Sequence, residues 1–119
     1  MNYPLRGSLF ETFIVAELVK SRFNHGELAD LFFWRDSNGN EVDIIAEQGT
    51  KLMPLEIKSG KTLSIESTKG LKKYISLARN SVVVPTLIYN GDDSFKQQDI
   101  QITSWRECGD ILLKQINSS

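Results

Sequence analysis

The chain has 119 residues, 40% of them hydrophobic and 24% charged, with a formal net charge of -1. That length suits one domain, residues 1–119, with one sizeable core, and the composition excludes a disordered chain. Charge this close to zero excludes a grip on nucleic acid by bulk electrostatics, so any such contact needs a local basic patch.

Cys108 is the one cysteine, which rules out a disulfide framework and fits a reducing, cytoplasmic setting. No apolar run approaches the ~18 residues of a membrane span, and residues 1–7 lack the apolar stretch of a signal peptide. The single histidine, His25, lies in Asn24-His25-Gly26-Glu27 and reads as a solvated loop residue, because no second His or Cys accompanies it.

The first element is a helix over Ser8 to Phe23. Leu9, Phe10, Phe13, Ile14, Leu18 and Val19 recur at three- and four-residue steps. Ser8 and Glu11 have capping-box spacing, and Gly26 follows the end. Leu31 to Arg35 is an aromatic strand, and Asp36 to Asn40 a turn cluster holding an Asn-Gly pair. Glu41 to Glu47 and Lys51 to Lys58 read as two further strands joined tightly through Gly49-Thr50, which makes a three-stranded meander.

Ser64 to Arg79 is a second helix, with Leu71, Tyr74, Ile75 and Ala78 on one face and Lys69, Lys72 and Lys73 mostly on another. Val82 to Tyr89 is an unbroken apolar run, suited to a strand buried on both faces, with pairing expected only after Pro85. Gly91-Asp92-Asp93 is a turn, Ile100 to Ile102 a short strand, and Trp105 to Ile116 a last helix with a Ser104/Glu107 capping box. The fold class is α/β, in the order α-β-β-β-α-β-β-α, with a mixed four- to five-stranded sheet flanked by helices.

Glu56 and Lys58 are two apart on a strand and so share a face, while Leu55 and Ile57 face a core. A two-residue Gly49-Thr50 loop sets Asp43 opposite Glu56 and Glu41 opposite Lys58. Opposed carboxylates have Cβ atoms ~5 Å apart and repel. A divalent cation removes that repulsion, and Mg²⁺ prefers such oxygen ligands and needs only one or two of them from protein. A metal beside a lysine can acidify water and neutralise charge on a phosphate. Solvated cross-strand pairing is the plainer account of an isolated Glu-x-Lys.

Glu11 on the first helix, Asp43 on one strand and Glu56-Ile57-Lys58 on the next resemble the PD-(D/E)xK phosphodiesterase superfamily. That group includes restriction endonucleases and archaeal Holliday-junction resolvases. The likeness is closer to the C-terminal domain of a family of bacterial and archaeal AAA-type ATPases. It is carried by Gly7-Ser8-Leu9-Phe10-Glu11, Phe33-Trp34-Arg35-Asp36, Asn40-Glu41-Val42-Asp43 and Pro54-Leu55-Glu56-Ile57-Lys58, and covers roughly residues 5 to 90. Val42 stands where the superfamily often has proline.

The resemblance implies a restriction-endonuclease-like fold and a Mg²⁺ or Mn²⁺ site. Asp43 and Glu56 would be ligands, the Ile57 carbonyl a third, Lys58 the catalytic lysine, and Glu11 an outer ligand or water-positioning group. It further implies DNA as substrate and an ATPase domain upstream in the same chain, of which these residues would be the C-terminal part. Each member also has a structural role that would explain it: capping for Glu11, solvation for Glu17 and for Lys69, Lys72 and Lys73, and core packing for Trp34 and Tyr74. Gly60-Lys61-Thr62 imitates the end of a P-loop, but Leu55 occupies the position of its first glycine, so no nucleotide site is read there. Three functions fit these residues: a metal-dependent nuclease, a catalytically silent accessory module of the same fold that binds nucleic acid or protein, and a structural α/β domain with a solvated charge cluster.

Overall fold

The computed structural model of the protein describes residues 9–24 and 30–109. Helix α1 (Leu9–Asn24) is followed by β1 (Asp30–Arg35), β2 (Glu41–Gln48) and β3 (Lys51–Lys58). A 3-10 turn at Ile65–Thr68 opens α2 (Lys69–Ala78), and β4 (Thr86–Tyr89), β5 (Phe95–Gln97) and β6 (Ile100–Ser104) complete one sheet of order β1-β2-β3-β4-β6-β5. The first three strands pair antiparallel, β3 with β4 and β4 with β6 parallel, and β5 with β6 antiparallel. Parallel neighbours need a long crossover, and α2 supplies the one from β3 to β4. The domain is therefore mixed α/β.

Two cores lie on opposite faces of the sheet. Ile14 and Leu18 of α1 pack with Ile44, Leu55, Ile57 and Ile88. Leu71 and Tyr74 of α2 pack with Val42, Ile45, Leu87 and Ile102. Each fully buried anchor such as Leu18 or Leu71 contributes roughly 1.5–3 kcal/mol. Side chains alternate along β3, so Leu55 and Ile57 face α1 while Leu52 and Glu56 face α2. β4 is buried throughout, as a central strand covered on both faces must be. Tyr74 meets Trp34 edge-on at 5.3 Å, which ties α2 to the β1 edge.

Several sequence expectations are corrected. The sheet has six strands, not four or five, because Phe95–Gln97 pairs along β6. This edge strand is exposed throughout, so it needs no apolar alternation and leaves no such signal. By contrast, the expectation that the run from Val82 pairs only after Pro85 holds: β4 begins at Thr86, Val82 makes only an isolated bridge to Leu52, and Val84 takes φ +36° just before Pro85. The helix expected from Ser64 starts as a 3-10 turn, with Ser64 and Ser67 capping each other, and becomes α-helical at Lys69.

The Ser104/Glu107 box does not close on itself, because Ser94 is inserted between them. The Ser104 amide donates to Ser94 Oγ at 2.9 Å, and Ser94 Oγ donates to Glu107 Oε1 at 2.8 Å. The helix expected over Trp105 to Ile116 opens as a 3-10 turn at Trp105–Glu107; its continuation past residue 109 lies outside the described residues, as do Ser8, His25 and Gly26. Among the described residues no helix is long and apolar enough to cross a membrane.

The seat of α2 depends on Gly70. A methyl group there would collide with the Glu41 carbonyl oxygen of β2 and lie 3.4 Å from Glu56 Oε2. Replacing a helical glycine by alanine ordinarily gains up to ~1 kcal/mol. Here the clash is with backbone, which yields little, and overpacking costs ~1–3 kcal/mol. Gly70→Ala is therefore expected to lower the urea midpoint of unfolding; a raised midpoint would show that α2 does not lie this close to β2.

Candidate functional site

The site begins with an irregularity in β2. Phe32 pairs with Ile45 and Trp34 with Val42, so β2 carries one residue more than β1 across the same span. This bulge falls at Asp43 and Ile44 and reverses the alternation: Ile44 faces the α1 core, whereas Val42 faces the α2 core. On the other side, β2 and β3 keep the register expected from the Gly49-Thr50 loop, but their ladder runs only from Gln48↔Lys51 to Ile44↔Leu55. Asp43 and Glu56 are consequently not ladder partners, and neither are Glu41 and Lys58. Instead, Asp43 Oδ2 accepts the Ile57 amide at 2.8 Å, standing in for the backbone acceptor that β2 no longer offers.

Glu56 is only 5% exposed, beneath α2. Burial raises its carboxyl pKa, the hydrogen bond it shares with Asp43 and the Asp43 charge raise it further, Glu41 adds to this, and Lys58 opposes it; the result is about 10. At neutral pH Glu56 therefore holds its proton, and the two carboxyl groups are kept in hydrogen-bond contact.

A cavity of about 330 Å³ opens beside this pair, and all of Glu11, Asp43, Glu56, Ile57 and Lys58 line it. Lys58 is half-buried on the same wall. The wall also includes Phe33, Glu41, Glu66, Lys69 and Gly70. The 36–40 turn borders one side and is tied together by Asp36: Oδ1 accepts the Asn38 and Asn40 amides at 2.9 and 2.8 Å, and Oδ2 accepts Asn40 Nδ2 at 2.9 Å. The Asn40 side-chain bond is the main reason the Asp36 pKa is lowered.

Trp34, Arg35, Glu17, Lys72 and Lys73 do not line the cavity. Sequence reasoning missed Gly70 and Glu66. The available signal for Gly70 was a glycine inside an otherwise amphipathic helix, which commonly marks a close approach.

Among the described residues, no group of three or more His, Cys, Asp or Glu side chains is gathered for a metal. The donors that do meet are Asp43 and Glu56, with the Ile57 backbone beside them. A hard divalent cation that keeps several of its waters needs no more than this, provided that it displaces the Glu56 proton.

Fold and site thus define a mixed α/β domain in which a buried Glu56, a half-buried Asp43 and a lysine meet on one cavity. The chain belongs to the family described as a domain of unknown function (DUF4143), whose match covers residues 6–108. A comparison with curated proteins found no significant match.

The raised Glu56 pKa has a signed consequence. The folded state holds this proton more tightly than the unfolded state, whose ordinary carboxyl value is 4.5. The contribution is complete below about pH 4.5 and is lost progressively as pH rises towards 10. Its slope is at most ~1.4 kcal/mol per pH unit. Glu56→Gln keeps a hydrogen-bond donor without titrating, so in chelator its stability should fall less between pH 5 and pH 9 than that of the wild type, as read from urea melts at both pH values. Parallel profiles would mean that Glu56 is ionised in the folded protein.

Proposed function

We propose that this domain hydrolyses phosphodiester bonds in nucleic acid with the help of Mg²⁺ or Mn²⁺. On this reading it has the restriction-endonuclease-like fold of the PD-(D/E)xK group, acts on DNA, and works beside an upstream ATPase domain of the same chain. The observation that carries the reading is the convergence of Glu11, Asp43, Glu56 and Lys58 on one cavity, with Asp43 and Glu56 in hydrogen-bond contact.

Asp43 and Glu56 would hold the ion, with the Ile57 carbonyl as a further donor. When bound, the ion supplies positive charge that favours deprotonation of water and offsets charge gathering on the phosphate. Lys58 brings an ammonium group to the same wall, where it orients the attacking water or meets a phosphate oxygen. Glu11 reaches in from α1 and positions water. In the reaction, the water oxygen bonds to phosphorus, the ester P–O bond breaks, and the leaving oxygen takes up a proton.

A second reading, a silent module that binds nucleic acid or protein partners of an ATPase, is favoured by one feature. Asp43 Oδ2 is already committed to the Ile57 amide, so part of the pair's chemistry holds β3 in place.

Two measurements separate these readings. Calorimetric titration of Mn²⁺ should show binding to the wild type and to Lys58→Ala, and none to Glu56→Ala. Cleavage of single-stranded and plasmid DNA should require Mg²⁺ or Mn²⁺ and fall by at least ~100-fold in Lys58→Ala, the usual cost of losing one group that stabilises transition-state charge. Metal binding without cleavage supports the silent module, and the absence of any Mn²⁺ heat sinks the metal site itself.

A further inference from the structure

Three features of the cavity wall bear on the kind of nucleic acid it would accept. The first is charge. Among the described residues, the wall offers a phosphate two cations, Lys58 and Lys69. Two such contacts are too few for electrostatic attraction along a duplex to supply the affinity. The second is size. At about 330 Å³ the cavity lies at the low end of small-ligand pockets, which suits one nucleotide unit rather than a double helix.

The third is Phe33. It lines the cavity yet remains 37% exposed on the outermost strand, in the step where β1 skips a pairing position opposite the bulge. Leu31 belongs to the α1-side core and Trp34 packs on the α2 side, so alternation places Phe33 on the α1 side, together with Glu11. Lys69 and Gly70 form the α2 side of the same cavity. An aromatic ring on the open wall of a cavity has a ready partner in the face of an unpaired base.

We infer that the cavity takes an unpaired nucleotide, with its base stacked on Phe33 and its phosphate turned towards Lys58 and Lys69, so that the substrate class is single-stranded or locally opened nucleic acid. The inference rests on the phosphodiester reading above and narrows it. Phe33 acts here as a platform, and the site selects strands whose bases are free to leave the stack. Two lysines meeting phosphates also imply a shallow salt dependence, with a slope of log K against log[salt] of about -1.4 for a single strand.

Fluorescence anisotropy with a labelled oligothymidine and with a duplex of the same length, both in Ca²⁺ to hold the site without turnover, tests this on the 119-residue chain. The single strand should bind at least about 10-fold more tightly than the duplex. Phe33→Ala should weaken single-strand binding about 10-fold, within the range for losing one stacked base, and Phe33→Trp should retain it. Phe32, 42% exposed but not part of the cavity wall, is the internal control: Phe32→Ala should bind as the wild type does.

Equal affinity for duplex, a steep salt slope, or the same loss in Phe32→Ala as in Phe33→Ala overturns the inference. Mn²⁺ calorimetry on the same proteins keeps the two ideas apart. Mn²⁺ binding that survives in Phe33→Ala, with no strand preference in the wild type, removes this inference alone. Strand preference that depends on Phe33 without any Mn²⁺ binding removes the metal reading and leaves the platform.

Discussion

Where β2 parts from β3, the Ile57 amide would be left without an acceptor in the middle of a buried sheet. The Asp43 carboxylate fills that place at 2.8 Å. An unsatisfied buried amide costs ~1–3 kcal/mol, so the bond is a structural requirement of the bulged strand. It also fixes where the Asp43 carboxyl group sits, and with it the partner that Glu56 finds. The carboxyl pair thus arises from the same irregularity that ends the ladder.

The second constraint comes from the crossover helix. Because Gly70 has no side chain, α2 descends onto the Glu41 carbonyl and closes over Glu56. This contact withdraws Glu56 from water, and withdrawal is the largest reason its pKa rises. A carboxyl group two residues from Lys58 on an open strand would ionise normally; under α2 it keeps its proton and binds Asp43. Sheet irregularity and helix seating together convert two ordinary acids into one unit.

Among the described residues, the cavity that results carries cations at Lys58 and Lys69 alone. On the proposed reading a divalent ion would add positive charge at this wall, and recognition would draw on Phe33 more than on backbone charge. The three exposed lysine positions of α2 do not act alike, since Lys69 reaches the cavity and Lys72 and Lys73 do not.

Much of this was legible in the chain itself. The helical period from Leu9 to Leu18, the Asn-Gly turn and the Gly49-Thr50 loop each follow from local chemistry, and the strand register from Ile44 to Gln48 came out as the loop dictates. Asp43, Glu56 and Lys58 could be singled out because charges placed among apolar neighbours demand a reason, whereas Glu11 entered the site only through the family resemblance. What the chain alone could not decide was non-local. The exposed strand Phe95–Gln97 has no buried face to reveal it. The bulge that turns Asp43 onto Ile57 arises from pairing with β1, and the burial of Glu56 from a helix more than ten residues away. Periodicity records which residues avoid water along one element; only packing between elements determines which carboxyl groups meet.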